Sequence, residues 1–120
     1  NALSGKAGAD ILGGMRGADF LTGGAGADIF AFSSLRDSMM KASDTITDFG
    51  NGSDRIALSA VGDLAFLARE GAGFTGQAQI RWFQDGDETI VEIDADGDRS
   101  ADMKIVLEGS LTLGETDFLL

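Results

Sequence analysis

Gly5-Lys6-Ala7-Gly8-Ala9-Asp10-Ile11-Leu12-Gly13 runs without a break into Gly14 to Thr22 and then Gly23 to Ala31. These three nine-residue units share one pattern. A glycine opens each, Gly-Ala-Asp fills the fourth to sixth positions, and a large apolar residue (Leu12, Leu21 or Phe30) holds the eighth. Asn1-Ala2-Leu3-Ser4 reads as the tail of a fourth unit, with Asn1 at the Asp position and Leu3 at the apolar one. Such a repeat dictates architecture, because one unit can bury its apolar residue only against its neighbours.

One apolar residue in nine is too sparse for a helix face, and each interior glycine costs a helix ~1 kcal/mol. Triplets such as Phe20-Leu21-Thr22 are long enough only for very short strands. The spacing predicts a coil in which each unit supplies a six-residue turn and a three-residue strand, two units completing one circuit. Strands of successive circuits then pair in parallel at ~4.8 Å. Leu3 and Leu21 face inward from one wall, Leu12 and Phe30 from the other. Residues 1–32 are this repeat block, and residues 33–120 form a β-rich cap continuous with it.

Downstream, Asp44-Thr45-Ile46-Thr47-Asp48-Phe49 alternates as a strand does, with Ile46 inward. Phe49-Gly50-Asn51-Gly52-Ser53-Asp54 is a turn, and Arg55-Ile56-Ala57-Leu58 another short strand. Ser59 is placed to cap a helix over 60–69, ended by Gly71-Ala72-Gly73. Gln79–Phe83, Thr89–Ile93 and Met103–Leu107 read as an antiparallel meander. The expected fold class is therefore mostly β: a parallel, right-handed β-helix-like roll, then antiparallel strands and one short helix.

Composition narrows the function. Nine basic against twenty acidic residues leave a net charge of −11, which excludes a phosphate-neutralising nucleic-acid surface. Cysteine and histidine are both absent. Disulfides, thiolate metal sites, imidazole bases and Ser-His triads are therefore excluded from this chain. No apolar run approaches the ~18 residues of a membrane span. With 43% hydrophobic residues the chain can still bury a core.

The repeat carboxylates point to a cation. Two units per circuit bring Asp10 and Asp28 to one edge of the coil and Asn1 and Asp19 to the opposite edge. Stacked carboxylates repel unless a cation lies between them. Calcium takes six to eight oxygens, mixing carboxylates with backbone carbonyls, and glycine-rich turns let carbonyls approach closely.

Gly23-Gly24-Ala25-Gly26-Ala27-Asp28-Ile29-Phe30-Ala31 matches the repeat-in-toxin (RTX, hemolysin-type) nonapeptide G-G-x-G-x-D-x-U-x throughout; Lys6 and Met15 depart from it at the second position. Further on, Ala31-Phe32-Ser33-Ser34, Asp37-Ser38, Asp44 to Phe49, Asp54 to Ser59 and Thr112 to Leu120 resemble the C-terminal module of serralysin-type secreted metalloproteases. That resemblance implies several bound Ca²⁺ ions held by carbonyls and aspartates of alternate units. By position it gives a first site of Lys6, Gly8, Asp10, Gly23, Ala25 and Asp28. It gives Asn1, Gly14, Arg16 and Asp19 on the opposite edge, then Met15, Gly17 and Asp19 with Asp37, and Gly24, Gly26 and Asp28 with Asp44.

The resemblance further implies a secreted, extracellular bacterial protein that folds on calcium outside the cell. Asp117-Phe118-Leu119-Leu120 is similar to an uncleaved type I secretion signal, which makes the exporter a partner. No catalytic residue is expected in this chain. The enzyme it serves is then an upstream zinc metalloprotease or an alginate epimerase-like enzyme; a surface or polysaccharide-binding module is the remaining alternative. Asp94, Asp96, Asp98 and Asp102 suggest an EF-hand, but Gly97 sits at the fourth loop position and Ile105 at the twelfth, so a solvated hairpin turn is expected. Trp82 and Phe83 are assigned to the core. Glu70, Glu88 and Glu92 are assigned to the surface, and Lys6 and Arg16 to offsetting the acidic edge.

Overall fold

A computed structural model of the chain describes residues 2–50 and 54–120. The repeat block forms four short strands, β1 (Ala2–Ser4), β2 (Ile11–Leu12), β3 (Phe20–Thr22) and β4 (Ile29–Ala31). β1 pairs in parallel with β3, setting Leu3 against Leu21, and β2 with β4, setting Leu12 against Phe30. This is the eighteen-residue circuit that the spacing predicts. Leu12, Leu21 and Phe30 are buried, while Ile11 and Phe20, one residue earlier on each strand, face outward and are exposed. The alternation follows from the two-residue period of a strand.

Both walls continue past the repeats. β5 (Asp44–Ile46) adds to β3 and β6 (Arg55–Ala57) adds to β4, again in parallel. Ile46 stacks beside Leu21 and Ile56 beside Phe30, all fully buried. A 3-10 turn at Leu35–Ser38, capped by the Ser34 side chain, carries the chain between the walls. Ser38 Oγ then donates to the Lys104 carbonyl and accepts from the Asp44 amide, joining this turn to the cap.

The cap comprises β7 (Ala65–Phe66), β8 (Gln79–Asp85), β9 (Glu88–Asp94), β10 (Met103–Glu108) and β11 (Phe118–Leu119). β8, β9 and β10 are the antiparallel meander. β10 also pairs in parallel with β5, so roll and cap share one seven-stranded sheet in the order β1-β3-β5-β10-β9-β8-β7. The second sheet, β11-β6-β4-β2, is parallel throughout. One core runs between them, from Leu12 and Leu21 through Ile46, Ile56 and Leu58 to Ile105, Val91, Trp82 and Phe118.

Two expectations are corrected. The helix over 60–69 is replaced by a turn and β7, whose flanks bond to β8 through Ala65 N to Ala78 O (3.0 Å) and Leu67 N to Ile80 O (2.9 Å). Gly62, at φ 154°, weakens any helix there, and the open edge of β8 offers the backbone better partners. Phe66 then packs on Phe118 with ring centroids 5.3 Å apart. Glu92 is not an ordinary surface charge: it is buried on the outer face of β9 and accepts from Arg81 Nε at 2.8 Å.

The turns explain the glycines. Positions two and four of each unit have left-handed φ: Lys6, Met15 and Gly24 at 71°, 64° and 85°, Gly8, Gly17 and Gly26 at 103°, 100° and 110°. A side chain in this region costs ~1–2 kcal/mol. At Gly24 a methyl group would also collide with the Lys6 carbonyl of the circuit above. Met15→Gly is therefore expected to stabilise the fold by about 0.5–1 kcal/mol, after the entropy cost of a new glycine. Gly24→Ala is expected to prevent the first two circuits from stacking. Urea denaturation checks both; a lower midpoint for Met15→Gly, or an unchanged one for Gly24→Ala, contradicts the reading of the turns.

Candidate metal centre

Each turn ends on an aspartate just before its strand, and the aspartates stack. On one edge the Asp10 amide donates to Asp28 Oδ1 at 2.9 Å, and the Asp28 amide donates to Asp54 Oδ1 at 2.9 Å. On the other, the Asp19 amide donates to Asp44 Oδ1 at 2.8 Å. Asp28, Asp44 and Asp54 thus each spend one oxygen on the backbone of the circuit above. Oδ2 of these three, and of Asp10, is buried and accepts no hydrogen bond. A buried carboxylate oxygen without a donor is costly unless a cation meets it.

Glycine at position one makes room for this arrangement. Asp10 Oδ2 folds back over Gly5, where an added Cβ would lie 2.7 Å from it, and Asp19 and Asp28 do the same over Gly14 and Gly23. The Lys6 and Gly8 carbonyls project toward Gly24 and Gly26 of the next circuit. Ala25 O accepts from the Gly8 amide at 3.0 Å. Lys6, Gly8, Asp10, Gly23, Ala25 and Asp28 therefore come together in two stacked turns, offering carbonyl and carboxylate oxygens suited to a hard cation such as calcium. Gly14, Met15, Arg16, Gly17 and Asp19 form the matching turn on the opposite edge; Asn1 lies outside the described residues.

Beyond the repeats the structure redistributes the partners. Asp19 stacks on Asp44, 25 residues on, and Asp28 stacks on Asp54, 26 residues on, rather than on Asp44. The reason is the wider third circuit: Leu35–Ser38 and the loop to Ser43 are inserted, and burial of Ile46 and Ile56 sets the register in place of the nine-residue count. Asp37 is buried within this insertion and accepts from Ser33 N at 2.9 Å and Ser33 Oγ at 3.0 Å. Its charge acts on Asp44, so Asp19, Asp37 and Asp44 make one acidic group. Asp48 accepts from the amides of Gly23 (2.9 Å) and Gly24 (2.8 Å). Sequence reasoning missed Asp48 and Asp54, because neither keeps the nine-residue spacing.

Electrostatics express the strain of this stack. Burial, reinforced by the charges of Asp19 and Asp37, pushes the Asp44 carboxyl up to about 7. Asp54 is raised as well, by burial first and then by Asp28 and Asp48. The 94–102 loop is a different arrangement. Asp94, Asp96, Asp98 and Asp102 bring carboxylate oxygens within 4.8 Å of one another. Here the carboxylates cap their own loop, with Gly97 N and Arg99 N donating to Asp94 at 2.9 and 2.8 Å and Ala95 N to Asp102 at 2.9 Å. Burial alone would raise the Asp94 carboxyl, but the amides of Arg99 and Gly97 hold it below its ordinary range.

The family model described as Peptidase M10 serralysin C terminal matches residues 1–120. The chain belongs to the serralysin C-terminal family. Its members are RTX-type, calcium-binding modules and are non-catalytic. Among solved structures it is similar to the AlgE6R3 subunit of the Azotobacter vinelandii mannuronan C5-epimerase, at 32% identity and a TM-score of 0.66, covering 98% of this chain and 66% of that one. It is also similar to the AlgE6R2 subunit of the same epimerase, at 25% identity and a TM-score of 0.53, covering 100% of this chain and 87% of that one. No curated protein matches the chain by sequence. Among the described residues no helix is long and apolar enough to cross a membrane.

The raised Asp44 carboxyl has a definite pH signature. Its value in the metal-free fold lies above the ordinary 3.8, so the fold holds a proton that the unfolded chain releases first. Stability is therefore full below about pH 4 and is lost as pH rises toward and through about 7. In chelator, the folded fraction read by circular dichroism is expected to fall from pH 5 to pH 8 in the native chain and to change much less in Asp44→Asn. A folded fraction that rises over that interval contradicts the assignment.

Proposed function

We propose that the chain is a calcium-dependent folding and export module, the C-terminal part of a larger secreted protein. The observation that carries this reading is the stack of buried aspartates whose Oδ2 atoms have no donor. Calcium bound between circuits would satisfy those oxygens and cancel the repulsion between them. Its ligands on this reading are Lys6, Gly8, Asp10, Gly23, Ala25 and Asp28 in the complete layer. On the opposite edge they are Asn1, Gly14, Arg16 and Asp19, and then Met15, Gly17 and Asp19 with Asp37 and Asp44. A site absent from the unfolded chain adds its binding free energy directly to folding. Affinities on the order of 10⁻⁴ to 10⁻³ M would leave the chain loose in the cell and folded outside it.

The C-terminus fits the export half of the proposal. Phe118 is buried, and the Leu58 amide donates to the Leu119 carbonyl at 2.9 Å. An exporter reading Asp117-Phe118-Leu119-Leu120 would therefore read it in the calcium-free, unfolded chain. Family membership favours a serralysin-type zinc protease as the parent, and likeness to the epimerase subunits favours an alginate-modifying one. A glycan-binding role has less support, because Trp82 is buried and Phe20 is the one exposed aromatic among the described residues.

Circular dichroism during a calcium titration tests the switch. At pH 8, excess chelator is expected to abolish the β signal and millimolar calcium to restore it, with Asp28→Asn shifting the midpoint at least tenfold upward. A fully folded spectrum in chelator at pH 8 sinks the switch. Removal of residues 118–120 is expected to abolish export from cells expressing the exporter; unchanged secretion removes the signal assignment while leaving calcium binding standing.

A further inference from the structure

We infer that Asp28 and Asp54, flanked by Asp48, hold an additional calcium ion in the widened third circuit, and that this ion fastens the strand on which the C-terminus is docked. The inference rests on the calcium reading above and extends it to residues outside the nonapeptide register.

Asp54 stands to Asp28 as Asp28 stands to Asp10. In both steps an aspartate amide donates at 2.9 Å to Oδ1 of the aspartate one circuit on. The sequence separation grows from 18 to 26 residues, yet the contact is unchanged. Asp28 is 0% and Asp54 4% exposed, and Oδ2 of each is buried without a hydrogen-bond donor. A chain does not bury two such oxygens in neighbouring layers at no cost. Asp48 adds a third negative charge, which acts on Asp54 while its own oxygens are held by the amides of Gly23 and Gly24. Arg55, next to Asp54, is exposed and forms no ion pair among the described residues that would neutralise the group.

The turn above supplies further oxygens. Gly24 and Gly26 repeat the left-handed φ of Lys6 and Gly8, whose carbonyls project toward the following circuit. A cleft of about 210 Å³ lined by Ala27, Asp28, Ile29 and Arg55 opens beside the pair and gives an ion a way in. Carboxylates from two layers with carbonyls from one turn match the all-oxygen shell that calcium prefers.

The position of this site gives it a consequence. Asp54 immediately precedes β6, and β6 pairs on its far side with β11. An ion between Asp28 and Asp54 pins the start of β6 to the regular roll, and β6 in turn holds Phe118 and Leu119. Calcium at this layer therefore controls whether the C-terminal residues are docked or free.

Anomalous diffraction from crystals of the unaltered chain grown in calcium locates the ions directly. A peak within calcium–oxygen distance of both Asp28 and Asp54 is expected. A peak between Asp10 and Asp28 with none at Asp54 overturns this site alone; peaks at neither place overturn the calcium reading as well. In solution, native mass spectrometry of Asp54→Asn is expected to count one calcium fewer than the unaltered chain. Hydrogen exchange at the Leu58 amide, which bonds to Leu119, is expected to quicken at least tenfold in that variant while the amides of β9 stay protected. An equal calcium count, or unchanged exchange at Leu58, overturns the proposal.

Discussion

Repulsion between stacked, buried carboxylates is the constraint on which the molecule turns. The coil that buries Leu12, Leu21 and Phe30 also places an aspartate at the same point of every circuit, only a strand spacing from the next. At Asp28, Asp44 and Asp54 one oxygen is satisfied by the amide above it. Oδ2 is buried and without a donor at these three and at Asp10. The apolar interior and the acidic edges come from the same nine residues, so the core cannot form without also creating the electrostatic problem. A module built this way has its stability tied to the charge on its carboxylates as well as to core size.

The cap resolves a second constraint, the open ends of two parallel sheets. A short parallel sheet needs both its faces and its edges covered. β10 continues the wall of β5 and turns it into an antiparallel meander, whose residues need no turn every nine positions. β11 continues the other wall beside β6. Both additions reach back to β5, which begins at Asp44, and to β6, which follows Asp54, so acidic edges and cap are joined. The Arg81–Glu92 pair joins β8 to β9 on the face of the meander that carries Lys104.

Much of this was legible in the sequence because the repeat is local. The circuit length, the inward Leu12, Leu21 and Phe30, the glycine-rich turns and the Asp10–Asp28 layer all follow from nine-residue spacing. The meander was legible from alternation and turn residues. What failed did so where a non-local partner decided. Residues 60–69 carry helix-compatible spacing, but the vacant edge of β8 and the ring of Phe118 draw Ala65–Phe66 into a strand. The family resemblance placed Asp28 with Asp44, whereas in the structure Asp28 stacks on Asp54, the register being set by Ile46 beside Leu21 and Ile56 beside Phe30.

The sequence by itself determined a parallel roll with two acidic edges, because a strict repeat leaves each unit only its neighbours for burial. It also excluded histidine- and cysteine-based chemistry, since those residues are absent. Only the tertiary structure decided which aspartates meet beyond the repeats. Circuit width there depends on how the inserted Leu35–Ser38 turn packs, and no spacing rule encodes that. It alone placed Asp54 in the ladder and set the C-terminal strand against the strand that follows it, because the pairing of Ile56 with Phe118 and of Ala57 with Leu119 arises from the closure of one shared core.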